Sequence, residues 1–264
     1  MKRNRIQAVF LCLCVVLLYC LSVRIGQHQA FLTDEEEFDS IELDEPEDDW
    51  VMPTPEPTPT PTPTPYVDPD LPDISINEWN YKLIDNIHVL ANTFTPPEVV
   101  ELDNNQYIDS RIVEPLESML AGAREAGFEV CVRMGYRTYR SQAEIFFGRA
   151  SSIAWDGTVE YAEAEMIARK YVAYPGTSEH QYGLSADIMD SASTTMSADD
   201  VENLPVLLWL KEHCAEYGFI LRYPKDKKDI TGWYEPWHFR YVGTEAAEYI
   251  MDKGICLEEF IAKY

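Results

Sequence analysis

The chain has 264 residues and carries 46 acidic against 21 basic side chains, a formal net charge of −25 at pH 7. That length allows one or two domains. The acidic balance excludes the basic face that a nucleic-acid binder needs, and it repels other polyanions. The charge is unevenly placed: residues 1–81 hold 4 basic and 16 acidic side chains, and residues 82–264 hold 17 and 30, a net of −13.

The chain opens "MKRNRIQAVFLCLCVVLLYCLSVRIG". Lys2, Arg3 and Arg5 form a basic flank over residues 1–5, and an uncharged apolar run follows over 6–23. Such a run approaches the ~18 residues of a bilayer span. The flank should stay in the cytoplasm, which predicts a single-pass signal anchor with the rest of the chain outside the cell membrane. A cleaved signal peptide is the competing reading. Against it, "GQHQAF" is a poor small-x-small cleavage site, and Tyr19 before Cys20 is a poor lipoprotein site.

Residues 24–73 read as a disordered stalk. "DEEEFDSIELDEPEDD" (34–49) is an acidic block that self-repulsion keeps solvated. The Thr-Pro alternation that starts at Pro53 favours polyproline II and makes a semi-rigid spacer. Residues 74–264 then form one folded domain of ordinary size. Its three cysteines, Cys131, Cys214 and Cys256, show no CxxC spacing, so they make neither a disulfide scaffold nor a zinc knuckle. One disulfide among them stays open.

Within the domain, "YKLIDNIHVLANTF" (81–94) reads as short strands with turns. Residues 109–127 place Ile112, Leu116, Met119, Leu120 and Ala123 at helical spacing, with Gly127 as the stop. "FEVCVRM" (128–134) alternates as a strand with one buried face. Helices are predicted over 140–150 and 158–171. A third, over 204–218, has Pro near its first turn and Gly at its end. "FILRY" and "WHFRYVG" read as strands, "TEAAEYIMDKG" as a helix, and "KDKKD" (225–229) as a solvated loop. Helices and strands mix without a βαβ rhythm. The expected class is α+β, a small, mostly antiparallel sheet with flanking helices.

The chemistry concentrates in "GTSEHQYGLSADIMD" (176–190) and "WYEPWHFRYVG" (233–243). The bland reading of the first is a polar turn. The sharper one counts ligands: His180, Asp187 and His238 supply the three protein ligands of a catalytic zinc. Gly183 and Pro236 argue against helix-borne HExxH geometry. Asp187 would lie on a strand, opposite to Leu184, Ala186 and Ile188, with His180 reaching in from the preceding loop. Pro236 cannot donate to a ladder. That places Glu235 in a loop and His238 at the start of a strand. A carboxylate at Glu235 suits a general base beside zinc-activated water. In "RMGYRTYRSQAE" (133–144), Gly135 permits a tight strand exit and Arg137 offers a planar cation for a carboxylate or oxyanion. Gln142 follows on the first turn of the next helix. The remaining polar residues read as structural. His88 and His213 are structural rather than catalytic, Glu179 is a solvated charge, and Asp190 a local cap. Trp233, Trp237 and Tyr241 belong to the core or a pocket wall.

"GYR", "SEHQYGLSAD" and "EPWHFRYVG" occur in the order found in the D-alanyl-D-alanine carboxypeptidase and LD-carboxypeptidase family of zinc peptidases, which the chain resembles over roughly 80–262. The resemblance implies that His180, Asp187 and His238 bind zinc, that Glu235 is the catalytic base, and that Arg137 holds a substrate carboxylate or carbonyl oxygen. It also associates Ser178 and Gln142 with substrate contacts. Tyr182 and Ser185 stand where the family often has smaller or more apolar residues and are expected to tune the pocket. The implied substrates are peptidoglycan stem peptides, trimmed of a terminal D-alanine at a D-Ala-D-Ala or an L,D bond. The alternatives are a wall endopeptidase and a non-catalytic wall-binding module. Of these, the module predicts a missing ligand or base.

Overall fold

The computed structural model describes residues 68–193 and 197–264. The basic flank 1–5, the apolar run 6–23 and the stalk up to residue 67 lie outside the described residues. Among those described, no helix is long and apolar enough to cross a membrane. The folded part begins before the expected boundary at residue 74. Tyr249 Oη donates to Asp68, Lys253 Nζ pairs with Asp70 at 2.8 Å, and Tyr264 Oη donates to the Pro72 carbonyl at 2.5 Å.

Residues 82–98 are turns rather than the predicted strands. The Asp85 side chain accepts from the amides of Ile87 and His88, both at 2.7 Å, and this local bonding competes with a ladder. A hairpin of β1 (Val99–Glu101) and β2 (Tyr107–Asp109) follows, too short to leave an alternation signal. Helix α1 (Val113–Glu125) buries Leu116, Met119, Leu120 and Ala123. Beyond it, Gly127 takes φ +92°. Then come β3 (Val130–Met134), α2 (Tyr139–Ile153), α3 (Tyr161–Ala168), the single turn α4 (Glu179–Tyr182) and β4 (Ser185–Asp190). The short α5 (Ala198–Val201) leads to α6 (Pro205–His213), with Pro205 in its first turn. Strand β5 (Phe219–Tyr223), helix α7 (Lys228–Thr231), strand β6 (Glu235–Tyr241) and helices α8 (Thr244–Lys253) and α9 (Leu257–Ile261) complete the chain.

The main sheet has the order β3-β4-β6-β5, antiparallel throughout. Leu184, just before β4, and Ala186 and Ile188 within it join the apolar cluster of α1 and α6. A second cluster packs Ile220 against Tyr249, Ile250 and Phe260 of the C-terminal helices. The expected α+β class is what the chain adopts; the segment 225–229 is solvated as expected but is not a loop. It coils into helical turns held by Lys225–Glu202 at 2.8 Å and Lys227–Glu259 at 3.0 Å. Cys131, Cys214 and Cys256 are all free thiols.

A buried ionic network ties α4 to the sheet and to α9. Glu179, expected as a solvated charge, is 2% exposed. Its Oε1 accepts from Arg222 Nε at 2.8 Å and from Arg240 Nη1 at 2.7 Å. Arg222 turns its other edge to Glu258 with bonds of 2.9 and 2.7 Å. Arg240 also donates to the carbonyls of Asn80 and Lys82. Burial opposes ionisation of Glu179, yet Arg240 and Arg222 hold its carboxyl well below the usual carboxylate range. Its stabilisation is therefore complete above the ordinary value of 4.5 and is lost only as pH falls below it. Removing Glu179 takes from the buried Arg222 Nε and Arg240 Nη1 the carboxylate they share. Glu179→Ala should cost about 3–5 kcal/mol. Urea unfolding at pH 7 measures this, and a loss under 1 kcal/mol would mean that the network relaxes around the change.

Candidate active site

The site forms where the central strands β4 and β6 meet. Asp187 and His238 are direct cross-strand partners in the ladder. Their side chains share one face, and His238 Nδ1 lies 2.8 Å from Asp187 Oδ1. His180 comes from α4 rather than from a loop, because residues 179–182 close a helical turn. Gly183 ends that turn at φ +85°, and a Cβ there would meet the Pro96 ring at 2.8 Å. His180 Nε2 lies 3.3 Å from Asp187 Oδ2. Its Nδ1 donates to the Gly135 carbonyl at 2.9 Å, which leaves Nε2 as the lone-pair nitrogen. Gly135 itself has no room for a side chain, since a Cβ would fall 2.1 Å from the Tyr107 carbonyl oxygen. The tight exit expected at Gly135 is therefore also the anchor for His180.

Glu235 corrects the expected loop: β6 begins at this residue, and His238 lies in mid-strand. The two nonetheless approach, with Glu235 Oε2 3.7 Å from His238 Nδ1. A regular strand would point positions i and i+3 to opposite sides. The register explains the exception. Leu221 pairs with Phe239 and Tyr223 with Glu235, so β6 spends four steps where β5 spends two. Pro236, which has no amide proton, sits inside this bulge.

The donor set suits a divalent metal. One ligand atom from each of His180, Asp187 and His238 lies within 4.8 Å of the others, and all three residues are buried. Buried carboxylates at Asp187 and Glu179 demand a positive charge between them. Without a cation, a proton takes that place. Burial works against charged His238, but hydrogen bonds to Asp187 and Glu179 raise it to about 9. Burial pushes His180 down, opposed by Asp187. Asp187 is drawn well below its ordinary value by the two imidazoles, against its burial. The Glu179 carboxylate lies 3.3 Å from His238 Nε2 and so directs Nδ1 toward Asp187. A ligand imidazole oriented by a carboxylate behind it is a common metal-site arrangement. Glu179 is the residue that sequence reasoning missed. Its neighbours Ser178 and His180 marked the segment, but its arginine partners lie 43 and 61 residues away.

These groups line a cavity of about 290 Å³ with Arg137, Ser178, Tyr223, Trp233 and Trp237. Burial raises the Glu235 carboxyl to about 7, with His238 and Arg137 opposing and Asp187 adding to the rise. Arg137 occupies the turn between β3 and α2, where its amide donates to the His180 carbonyl at 3.0 Å. Its guanidinium reaches Ser178 Oγ at 3.4 Å, and its buried Nε has no protein partner. Burial draws its pKa down, opposed by Asp187 and Glu235. Gln142 does not join them. It is fully buried on α2, and its Nε2 donates to the Ala173 carbonyl at 2.6 Å, bracing a segment of the cavity wall from behind. Tyr182 and Ser185 also lie outside the lining: Tyr182 stacks on Phe94 and donates to the Trp79 carbonyl. His88 pairs with Asp85, His213 stacks on Trp209, and Asp190 accepts from the Ala192 amide, all structural roles as expected.

Comparison with known proteins agrees with this geometry. A D-alanyl-D-alanine carboxypeptidase from Enterococcus faecalis is 39% identical over 187 residues, 70% of this chain and 66% of that protein. The chain thus spans just under two thirds of that relative's length. The crystal structure of a vancomycin resistance D,D-pentapeptidase, VanY, in complex with Zn(II) superposes with a TM-score of 0.60 at 38% identity, covering 70% of this chain and 99% of that one. The LD-carboxypeptidase LdcB gives a TM-score of 0.59 at 34% identity, covering 69% and 85%. The family profile described as VanY, D-alanyl-D-alanine carboxypeptidase, matches residues 105–244, a segment that contains Arg137, Ser178, His180, Asp187, Glu235 and His238. With the fold and the cavity built from that same segment, the chain belongs to the VanY family of D-alanyl-D-alanine carboxypeptidases.

Proposed function

We propose that the chain is a zinc-dependent carboxypeptidase that removes the terminal D-alanine from peptidoglycan stem peptides. The observation that carries this reading is the placement of His180, Asp187 and His238 within 4.8 Å of one another, in one cavity with Glu235 and Arg137. The names of the relatives support the substrate class. A non-catalytic wall-binding module would lack a ligand or the base, and here the full set converges.

His180, Asp187 and His238 would hold the zinc. When bound, the ion supplies Lewis acidity toward the scissile carbonyl and lowers the pKa of water. Glu235 takes the proton from the attacking water and delivers it to the departing amine of D-alanine. Its elevated pKa suits both tasks near neutrality. Arg137 binds the terminal carboxylate or the carbonyl oxygen through its planar fork. Ser178 keeps that guanidinium in place. Trp233 and Trp237 wall the cavity. No covalent enzyme intermediate is needed. Residues 6–23 would anchor the protein in the cell membrane, and the stalk would carry the domain outward to its wall substrate.

Purified protein should bind about one zinc, lost in His180→Ala and His238→Ala. Full occupancy in both variants would refute the ligand assignment. Glu235→Gln should keep its zinc and its fold while turnover of a D-alanine-terminated peptide falls at least ~100-fold. Unchanged turnover would remove Glu235 from the mechanism. Mass analysis of products from a defined pentapeptide ending in D-Ala-D-Ala and the corresponding tetrapeptide decides between the D,D and L,D bonds. Internal cleavage instead would identify an endopeptidase. On cells stripped of wall, the domain should be protease-accessible and membrane-associated; protection inside the cytoplasm would overturn the topology.

A further inference from the structure

Tyr223 ends β5 and lines the cavity, yet neither metal binding nor base catalysis uses it. In the ladder it is the direct partner of Glu235, so the two side chains leave the sheet on the same face. Its ring lies 4.9 Å from the His238 ring, between centroids, and the Arg222 guanidinium carbon lies 4.8 Å from its centroid. Arg222 is itself held by Glu179 and Glu258, which fixes the ring from that side. The residue is 7% exposed, and a tyrosine so buried ordinarily pairs its hydroxyl. Among the described residues, no group hydrogen-bonds the Tyr223 hydroxyl, and its oxygen is not sealed from solvent. A partner for it can come from the cavity. The strand order β3-β4-β6-β5 also matters. Arg137, just past β3, and Tyr223, at the end of β5, flank from opposite edges the groups on β4 and β6.

We propose that the Tyr223 hydroxyl is a catalytic hydrogen-bond donor to the oxygen of the scissile carbonyl as that oxygen gains negative charge. This rests on the carboxypeptidase reading above and divides its two tasks, so that Arg137 holds the terminal carboxylate. A carboxylate offers two oxygens to the planar fork of a guanidinium, whereas an oxyanion calls for a single aimed donor. The carbonyl under attack must lie beside Glu235, which activates the water, and beside the metal ligands. Tyr223 touches one of those ligands and faces Glu235 across the ladder. A phenol keeps its proton at neutral pH. It donates a hydrogen bond and transfers nothing; the proton given to the leaving amine is the one Glu235 takes from water.

Tyr223→Phe in the full-length protein keeps the ring against His238 and removes only the hydroxyl. Hydrolysis of a D-alanine-terminated peptide should lose about 100-fold in kcat, with KM within about twofold of the parent. A phosphinate analogue of the tetrahedral state should bind correspondingly more weakly. Binding of the peptide itself to Glu235→Gln protein should not change when Tyr223→Phe is added. Unchanged kcat in Tyr223→Phe overturns the proposal. So does a raised KM alone, which would place the hydroxyl on the bound substrate rather than on the oxyanion. Zinc content and thermal unfolding should match the parent, and a kcat loss that comes with lost zinc also overturns the donor role. A parent protein that releases no D-alanine from any such peptide overturns the carboxypeptidase reading together with the proposal, whereas the Tyr223 outcomes leave that reading standing.

Discussion

A carboxylate buried away from water governs this domain. Glu179 cannot stay charged in the interior unless cations surround it, and the fold brings Arg222 from β5, Arg240 from β6 and His238 from β6 to do so. Arg222 in turn takes Glu258 from α9. One ionic cluster thus joins the turn that bears His180, the two strands behind the site and the C-terminal helix. Glu179, Arg222 and Arg240 are all buried, so removing Glu179 leaves buried cations short of a counter-charge. The same carboxylate fixes the orientation of His238. Structural and functional demands fall on one side chain.

The site geometry follows from this frame and from one irregular strand. Asp187 and His238 face each other because β4 and β6 pair in register. Glu235 shares their side only because β6 bulges around Pro236, where the strand can spare a hydrogen-bond donor. Gly135 lets the chain pass within reach of Tyr107 and hands its carbonyl to His180. Two backbone peculiarities, a missing amide proton and a missing Cβ, therefore aim the base and one histidine.

Charge is distributed unevenly across the domain. The surface is acidic overall, yet Arg137 in the cavity keeps its buried Nε free of any protein partner. Arg137 is too enclosed for a surface carboxylate to reach.

Local sequence was sufficient for much of this protein. Helical spacing over 112–123, alternation over 128–134, Pro205 at a helix start and Gly127, Gly218 and Gly254 at helix ends are short-range signals, and each element formed where those signals stood. His180, Asp187, Glu235, His238 and Arg137 were legible because their residue types match one chemistry and their motifs lie in a known family order. Only the tertiary structure decided what depends on distant partners. Glu179 looks like any exposed glutamate until Arg222 and Arg240 arrive through the sheet. Gln142 sits one helical turn from Arg137 in sequence, but the helix turns it inward to Ala173 rather than toward the cavity. The helical turn at His180, the bulge at Pro236 and the irregular but ordered run over 82–98 likewise reflect cross-strand pairing and local side-chain bonds that outweigh apolar periodicity. Residue identity determined which chemistry this chain holds, and long-range packing determined which side chains meet, because the energy of a buried charge is set by neighbours that sequence separation does not reveal.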